Sequence, residues 1–212
     1  MYWIALLVVS AVLLRSEVID RIAIAVESRV ITELQIDEEL RVTAFLNHGP
    51  ILRDLNARRA AADRIVAQVL VRHEMQLSHY PEPSATEIDN YLQTVRATFN
   101  AQQMYEAALR EYSITQKSLK QHLADQLATM SFIELRFRPS LDIPEAEIRA
   151  RYEQQMASWA TTHPGMSAPR FDAARPAILQ TLTEEHTDGI LDTWLEEARK
   201  QANIVYMDKA LQ

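Results

Sequence analysis

The stretch 54–80 constrains the fold more than any other part of the chain. Asp54 is suited to cap a helix N-terminus, and Ala57, Ala60, Ala61 and Ala62 supply the best helix formers for its first turns. Leu55, Ile65, Val66, Val69, Leu70, His73 and Leu77 then recur at the three-and-four spacing of one helical face. Val71 and Met75 widen that face beyond what one neighbour covers, so the helix needs partners on more than one side. Pro81 and Pro83 end it. The stretch carries no acid–base pair, metal cluster or phosphate loop, which makes it a scaffold.

The rest of the chain has to supply those partners, and composition says they are mostly helices. Among 212 residues there are only three glycines, Gly49, Gly165 and Gly189, too few for a sheet with several tight hairpins. With 48% hydrophobic and 24% charged residues, the chain suits one or two globular domains. Its net charge of −7 and the lack of a basic stripe make nucleic acid a poor candidate partner. The absence of cysteine excludes structural disulfides, thiol catalysis and a lipidated cysteine anchor.

Residues 3–14 form an uninterrupted apolar run closed by Arg15 and Ser16. Twelve residues fall short of the roughly 20 that a membrane-spanning helix needs, so no stable span is expected. The length matches the apolar region of a secretory signal, and residues 1–16 are read as one, although no Lys or Arg precedes the run and no A-x-A site follows it. The alternatives are a buried N-terminal strand or helix, an uncleaved anchor, or a misassigned start.

Alternation at Ile22, Ile24 and Val26 and β-branched residues from Val30 to Leu34 predict a hairpin. Ser28-Arg29 is a poor two-residue turn, so a longer or distorted one is expected. Asp37 is expected to cap a short helix with Leu40, Ala44 and Phe45 inward, broken at Asn47-His48-Gly49-Pro50. Beyond the central helix, Ser84-Ala-Thr-Glu87 reads as a capping box for a helix bearing Ile88, Tyr91, Leu92, Val95 and Phe99. A short helix follows over 104–111. Ser113-Ile-Thr-Gln116 reads as a second box, opening a long helix with Leu119, Leu123, Leu127, Met130 and Ile133, stopped by Pro139. Pro144 suits the first turn of the next helix, which bears Ile148, Tyr152, Met156 and Trp159. After a linker at 160–170, Pro176 leads into a last helix with Ile178, Leu182, Leu191, Trp194, Leu195 and Ala198, broken at Asn203. The β-prone tail 204–207 cannot satisfy its own backbone, so it should pair with the N-terminal hairpin.

This order of parts resembles the SurA-type periplasmic chaperones of the parvulin foldase family, specifically their peptide-binding module. The resemblance rests on the hairpin Ile-Asp-Arg-Ile-Ala-Ile-Ala-Val-Glu-Ser-Arg-Val-Ile-Thr, on Ile65-Val66-Ala-Gln-Val-Leu70, and on Ser84-Ala-Thr-Glu-Ile-Asp and Ile143-Pro-Glu-Ala-Glu-Ile. It continues through Arg170-Phe-Asp-Ala-Ala-Arg-Pro-Ala-Ile178, Leu182-Thr-Glu-Glu and Trp194-Leu-Glu-Glu-Ala-Arg199 to a closing Ala-Asn-Ile-Val-Tyr, covering about residues 17–208. It implies a mainly α, trigger-factor-like domain of several long helices, with a small sheet joining the N-terminal hairpin to a C-terminal strand. Residues 17–159 would form the N-terminal part and 171–212 would complete the same domain. Where the family carries prolyl-isomerase domains this chain has only the 160–170 linker, too short for a catalytic domain. The family hairpin often has Asn-Gly where Ser28-Arg29 stands here.

Local chemistry adds no competing site. His73-Glu74 lacks the second histidine of a zinc-protease helix, since Leu77 holds that place. His48, His79, His122, His163 and His186 are scattered and read as surface or satisfied core residues, as does Glu184-Glu185-His186 with Asp188. No cofactor fingerprint is present. Methionine suits surfaces that bind varied apolar segments. Met75, Met104, Met130 and Met156, with Tyr91, Phe99, Tyr105, Tyr112 and Trp159, are therefore the candidate client-binding residues; most methionines at helical spacing, Met166 with them, read as core. The expectation is an ATP-independent, non-enzymatic periplasmic chaperone for unfolded envelope or outer-membrane proteins. The alternatives are a prolyl isomerase and a dedicated assembly or scaffold subunit.

Overall fold

A computed structural model of the chain describes residues 20–138 and 141–212; the apolar leader and the Pro139 stop lie outside them. The described part is mainly helical, with seven α-helices and one three-stranded antiparallel sheet. Strand β1 (Ile22–Val26) turns into β2 (Arg29–Thr32), and β3 (Ile204–Tyr206) pairs with the other side of β1 with Ala25 opposite Val205. The C-terminal tail therefore joins the N-terminal hairpin, as its otherwise unsatisfied backbone required. The strand order is β2-β1-β3, with an irregularity in β1 between Ile22 and Ile24.

The hairpin turn is not longer than two residues. Val26 pairs with Arg29, so Glu27 and Ser28 make the turn, and Glu27 takes a positive φ of 51°. Asn203 holds it there: Glu27 N–H donates to the Asn203 carbonyl (2.9 Å), and the Glu27 carboxylate accepts from Asn203 N–H (2.8 Å). The distortion is thus placed on one residue and supported by the segment that enters β3.

Helix α1 (Glu33–Leu46) begins earlier than Asp37. Thr32 ends β2 in extended geometry and forms a capping box with Gln35, while Asp37 lies inside the helix and pairs with Arg58 at 2.5 Å. That box also ends the strand short of Leu34. Helix α2 (Leu55–Leu77) is capped by Asp54 as expected. Helix α3 (Ala85–Ala97) uses the Ser84–Glu87 box, and α4 (Gln102–Glu111) follows. Helix α5 (Gln116–Arg136) is capped by Thr115 with Ser118, two residues beyond the expected Ser113 box. Helix α6 (Glu145–Thr162) has Pro144 as N-cap rather than within its first turn, and it takes the first residues of the expected linker. Helix α7 (Phe171–Gln201) starts before Pro176 and contains it.

Ser113 is unavailable as a cap because it closes α4. Helices α1, α2 and α4 each end with a residue in the left-handed region: His48 (φ 50°), His79 (φ 56°) and Ser113 (φ 53°). In each, the next residue's N–H reaches back to the last turn: Gly49 to the Ala44 carbonyl, Tyr80 to Met75 and Ile114 to Leu109, all at 2.9–3.0 Å. Glycine normally fills that position, and this chain has only three glycines.

Four apolar clusters follow the chain. The first joins the sheet to α1 and α2 through Ile24, Val26, Ile31, Ile36, Val66 and Leu70, with Leu211 closing it. The second gathers Phe45, Leu92, Tyr105, Leu119 and Leu123. The third packs Val71 and Met75 of α2 against Ala128, Phe132 and Trp194. The fourth, around Ile148, Ile178 and Leu182, holds α6 against α7 as a helical hairpin. Helix α2 serves two clusters, as its broad stripe implied, but Leu55, His73 and Leu77 stay exposed. On α5 the buried face shifts from Leu119 and Leu123 to Ala128 and Phe132 as the helix passes between clusters, leaving Met130 exposed.

Candidate functional site

An open cavity of about 850 Å³ lies between the hairpin tip, α2, α5 and α7. Its long wall is a second face of α2. Ile65, Val69, His73 and Leu77 recur at every fourth position, which stacks them into one stripe about 18 Å long. Leu77 is 62% exposed, and Val30 on the facing strand is 51% exposed. Trp194 and Ala198 of α7 form the opposite wall, where Trp194 is braced by the Phe132 ring at 4.8 Å.

Charge within the cavity is largely neutralised locally. Arg72 donates to Asp125 at 2.6 Å and to Glu82 at 3.0 Å, tying α2 to α5 and to the segment before α3. Arg136 lies 4.0 Å from Glu74, and Lys200 pairs with Glu197 at 2.7 Å. Arg29 alone of the three lining arginines has no ion-pair partner among the described residues.

The nine candidate client-binding residues are not brought together. Met75 and Tyr105 are buried in separate clusters. Tyr91, Phe99 and Tyr112 are half-buried against the second cluster, and Tyr112 donates its hydroxyl to the Gly49 carbonyl at 2.9 Å. Met104 and Met130 are exposed. Met156 and Trp159 lie on α6, where the Trp159 ring stacks on His163 at 3.9 Å. None of the nine lines the cavity. Its residues were still partly legible, since Ile65, Val69, His73 and Leu77 belong to the α2 periodicity; the missing step was that one stripe serves two faces.

The histidines have local roles. His122 Nδ1 lies 2.9 Å from Glu39, and His186 Nε2 lies 2.8 Å from Glu147 across the α6–α7 hairpin. Glu39 is the one buried charged residue among those described, at 6% exposure. Its carboxylate also accepts from Arg64 Nε at 2.8 Å and from the Thr43 hydroxyl at 3.2 Å. Burial pushes its pKa up, but hydrogen bonding and charge from His122 and then Arg64 outweigh that and hold it below the usual glutamate value. Among the described residues no group of His, Asp and Glu is placed to hold a metal, and no helix is long and apolar enough to cross a membrane.

No known protein-family model matches the chain, and no curated protein is significantly similar to it.

Proposed function

We propose that this protein is an ATP-independent chaperone of the SurA type that works in the periplasm without prolyl-isomerase activity. It holds extended segments of unfolded envelope or outer-membrane proteins by reversible burial of their apolar surface. The observation that carries this reading is the open cavity, lined by half-buried Ile65 and Val69 and by exposed Leu77 and Val30, and framed by the N-terminal hairpin, α2, α5 and α7. The short connection between α6 and α7, where the family places its catalytic domains, supports the non-enzymatic part.

The test is aggregation of an unfolded outer-membrane protein with the chain in excess. Aggregation should slow equally with and without ATP. The effect should weaken in low denaturant and respond little to salt, because apolar burial carries it and most of the lining charges are already paired. A proline-peptide isomerisation assay should show the uncatalysed rate, tens to hundreds of seconds. Measured turnover would point to an isomerase, and no effect on aggregation would point to an assembly subunit with one fixed partner. For location, residues 1–30 fused to a reporter active only outside the cytoplasm should give signal; a silent fusion made in normal amounts refutes export.

A further inference from the structure

Strand β2 is an edge strand, with β1 on one side and no described strand on the other. The two-residue turn makes Val26 and Arg29 the hydrogen-bonded pair that closes the hairpin, so Ala25 opposite Val30 is the widely spaced pair. The N–H and C=O of Val30 therefore point away from β1. Thr32 follows the same alternation, and its N–H is taken by the Gln35 side chain at 2.9 Å. Ser28, Arg29 and Val30 all border the cavity, although successive side chains of a strand point to opposite faces. Of the three, Val30 presents the strand's outward backbone groups, since those of Arg29 are paired with Val26.

The opposite side of the cavity is equipped for backbone as well. Gln68, Gln76 and Gln201 line it, and their side chains have no hydrogen-bond partner among the described residues. Each amide carries donors and an acceptor, the same complement as a peptide unit. The lining charges are close to balanced: Arg29, Arg72 and Arg136 against Glu27, Glu74, Asp125 and Glu197. Such a site has little net field with which to select a charged sequence, and its unmet hydrogen-bonding capacity lies in the strand edge, the three amides and the side chains of Ser28, Arg29 and His73.

We propose that the cavity takes its client as an added β-strand, with an extended segment pairing its backbone to the free edge of β2. Alternate side chains of that segment meet Ile65, Val69 and Leu77, and the glutamine amides bond to the backbone edge left outside. This rests on the chaperone reading and names the client chemistry: an unfolded, proline-free, weakly charged segment with apolar residues at every second position. The stripe's length of about 18 Å matches five or six extended residues.

Backbone methylation of the ligand tests this without altering the protein. The probe is a fluorescent ten-residue peptide of alternating tyrosine and threonine, with two isomers N-methylated at the odd or the even positions. In anisotropy titrations of the full chain, the isomer methylated on the edge facing β2 should bind at least tenfold more weakly, and the isomer methylated on the outer edge, which keeps its carbonyls for the glutamine amides, about threefold at most. Val30→Pro removes the outward N–H and spares the ladder, so it should weaken the parent peptide about fivefold or more with the thermal midpoint unchanged; Val30→Thr should bind normally. Equal retention or equal loss by the two isomers overturns strand addition and leaves the chaperone reading standing. Failure of the parent peptide to bind also overturns strand addition, and the aggregation assay then decides whether the chaperone reading falls with it.

Discussion

Glu39 is the residue whose loss should reach furthest through the fold. It lies on α1, bonds to Arg64 of α2 and faces His122 of α5, so one carboxylate ties together three helices. Replacing it with alanine removes the acceptor from both partners. Arg64 is 43% exposed and can rehydrate, whereas the His122 side chain is only 11% exposed and is left facing a void. Breaking a buried pair by removing one partner costs about 3–5 kcal/mol, and the exposure of Arg64 places Glu39→Ala near the lower end, about 3 kcal/mol. For a chain of this size that lowers the thermal midpoint by roughly 6–12 °C. Glu39→Gln keeps an acceptor for Arg64 and should lose less, about 1–2 kcal/mol. The acid limb gives a second readout. Because the folded pKa of Glu39 is depressed, its contribution is complete above the ordinary value of 4.5 and is lost as pH falls through the lower folded value. Denaturant melts of wild type, Glu39→Ala, His122→Ala and the double variant, repeated across acidic pH, measure both. A Glu39–His122 coupling below about 0.5 kcal/mol, with identical acid limbs for wild type and Glu39→Gln, would refute the hub.

Truncation from Val205 onward removes the third strand and buried Leu211, which by itself is worth about 1.5–3 kcal/mol, so the thermal midpoint should fall by several degrees; an unchanged melt would mean the two ends do not support each other. His79→Gly and Ser113→Gly, at exposed left-handed positions, should each stabilise by about 1 kcal/mol in denaturant melts, and destabilisation by either would contradict the cap geometry. Leu182→Ala should cost about 2–3 kcal/mol locally, seen as faster hydrogen exchange in α6 and the first half of α7 with little change around the sheet, because its cluster is confined to that hairpin.

What the sequence by itself determined are features whose causes lie within a few residues. The Asp54 cap, the Ser84–Glu87 box and the breaks after α1 and α2 follow from side chains and backbone that meet locally. The β-prone tail was legible for a related reason, since an isolated strand leaves backbone groups unsatisfied and the N-terminal hairpin can receive it. Choices between two plausible local signals were decided by tertiary structure. Thr32 caps α1 instead of Asp37 because Asp37 is drawn to Arg58 of α2, and Thr115 caps α5 because Ser113 is needed to close α4. The candidate site was the least legible part. Methionine and aromatic content marks residues able to bind apolar ligands, but which of them face out depends on how four clusters divide the helices among them. Met75 and Tyr105 were absorbed into cores, while Ile65 and Val69, half-buried beside the first cluster, and exposed Leu77 were left to line a cavity. A helical period gives the direction of a side chain about its own axis; whether a neighbour stands there is set by contacts far away in sequence.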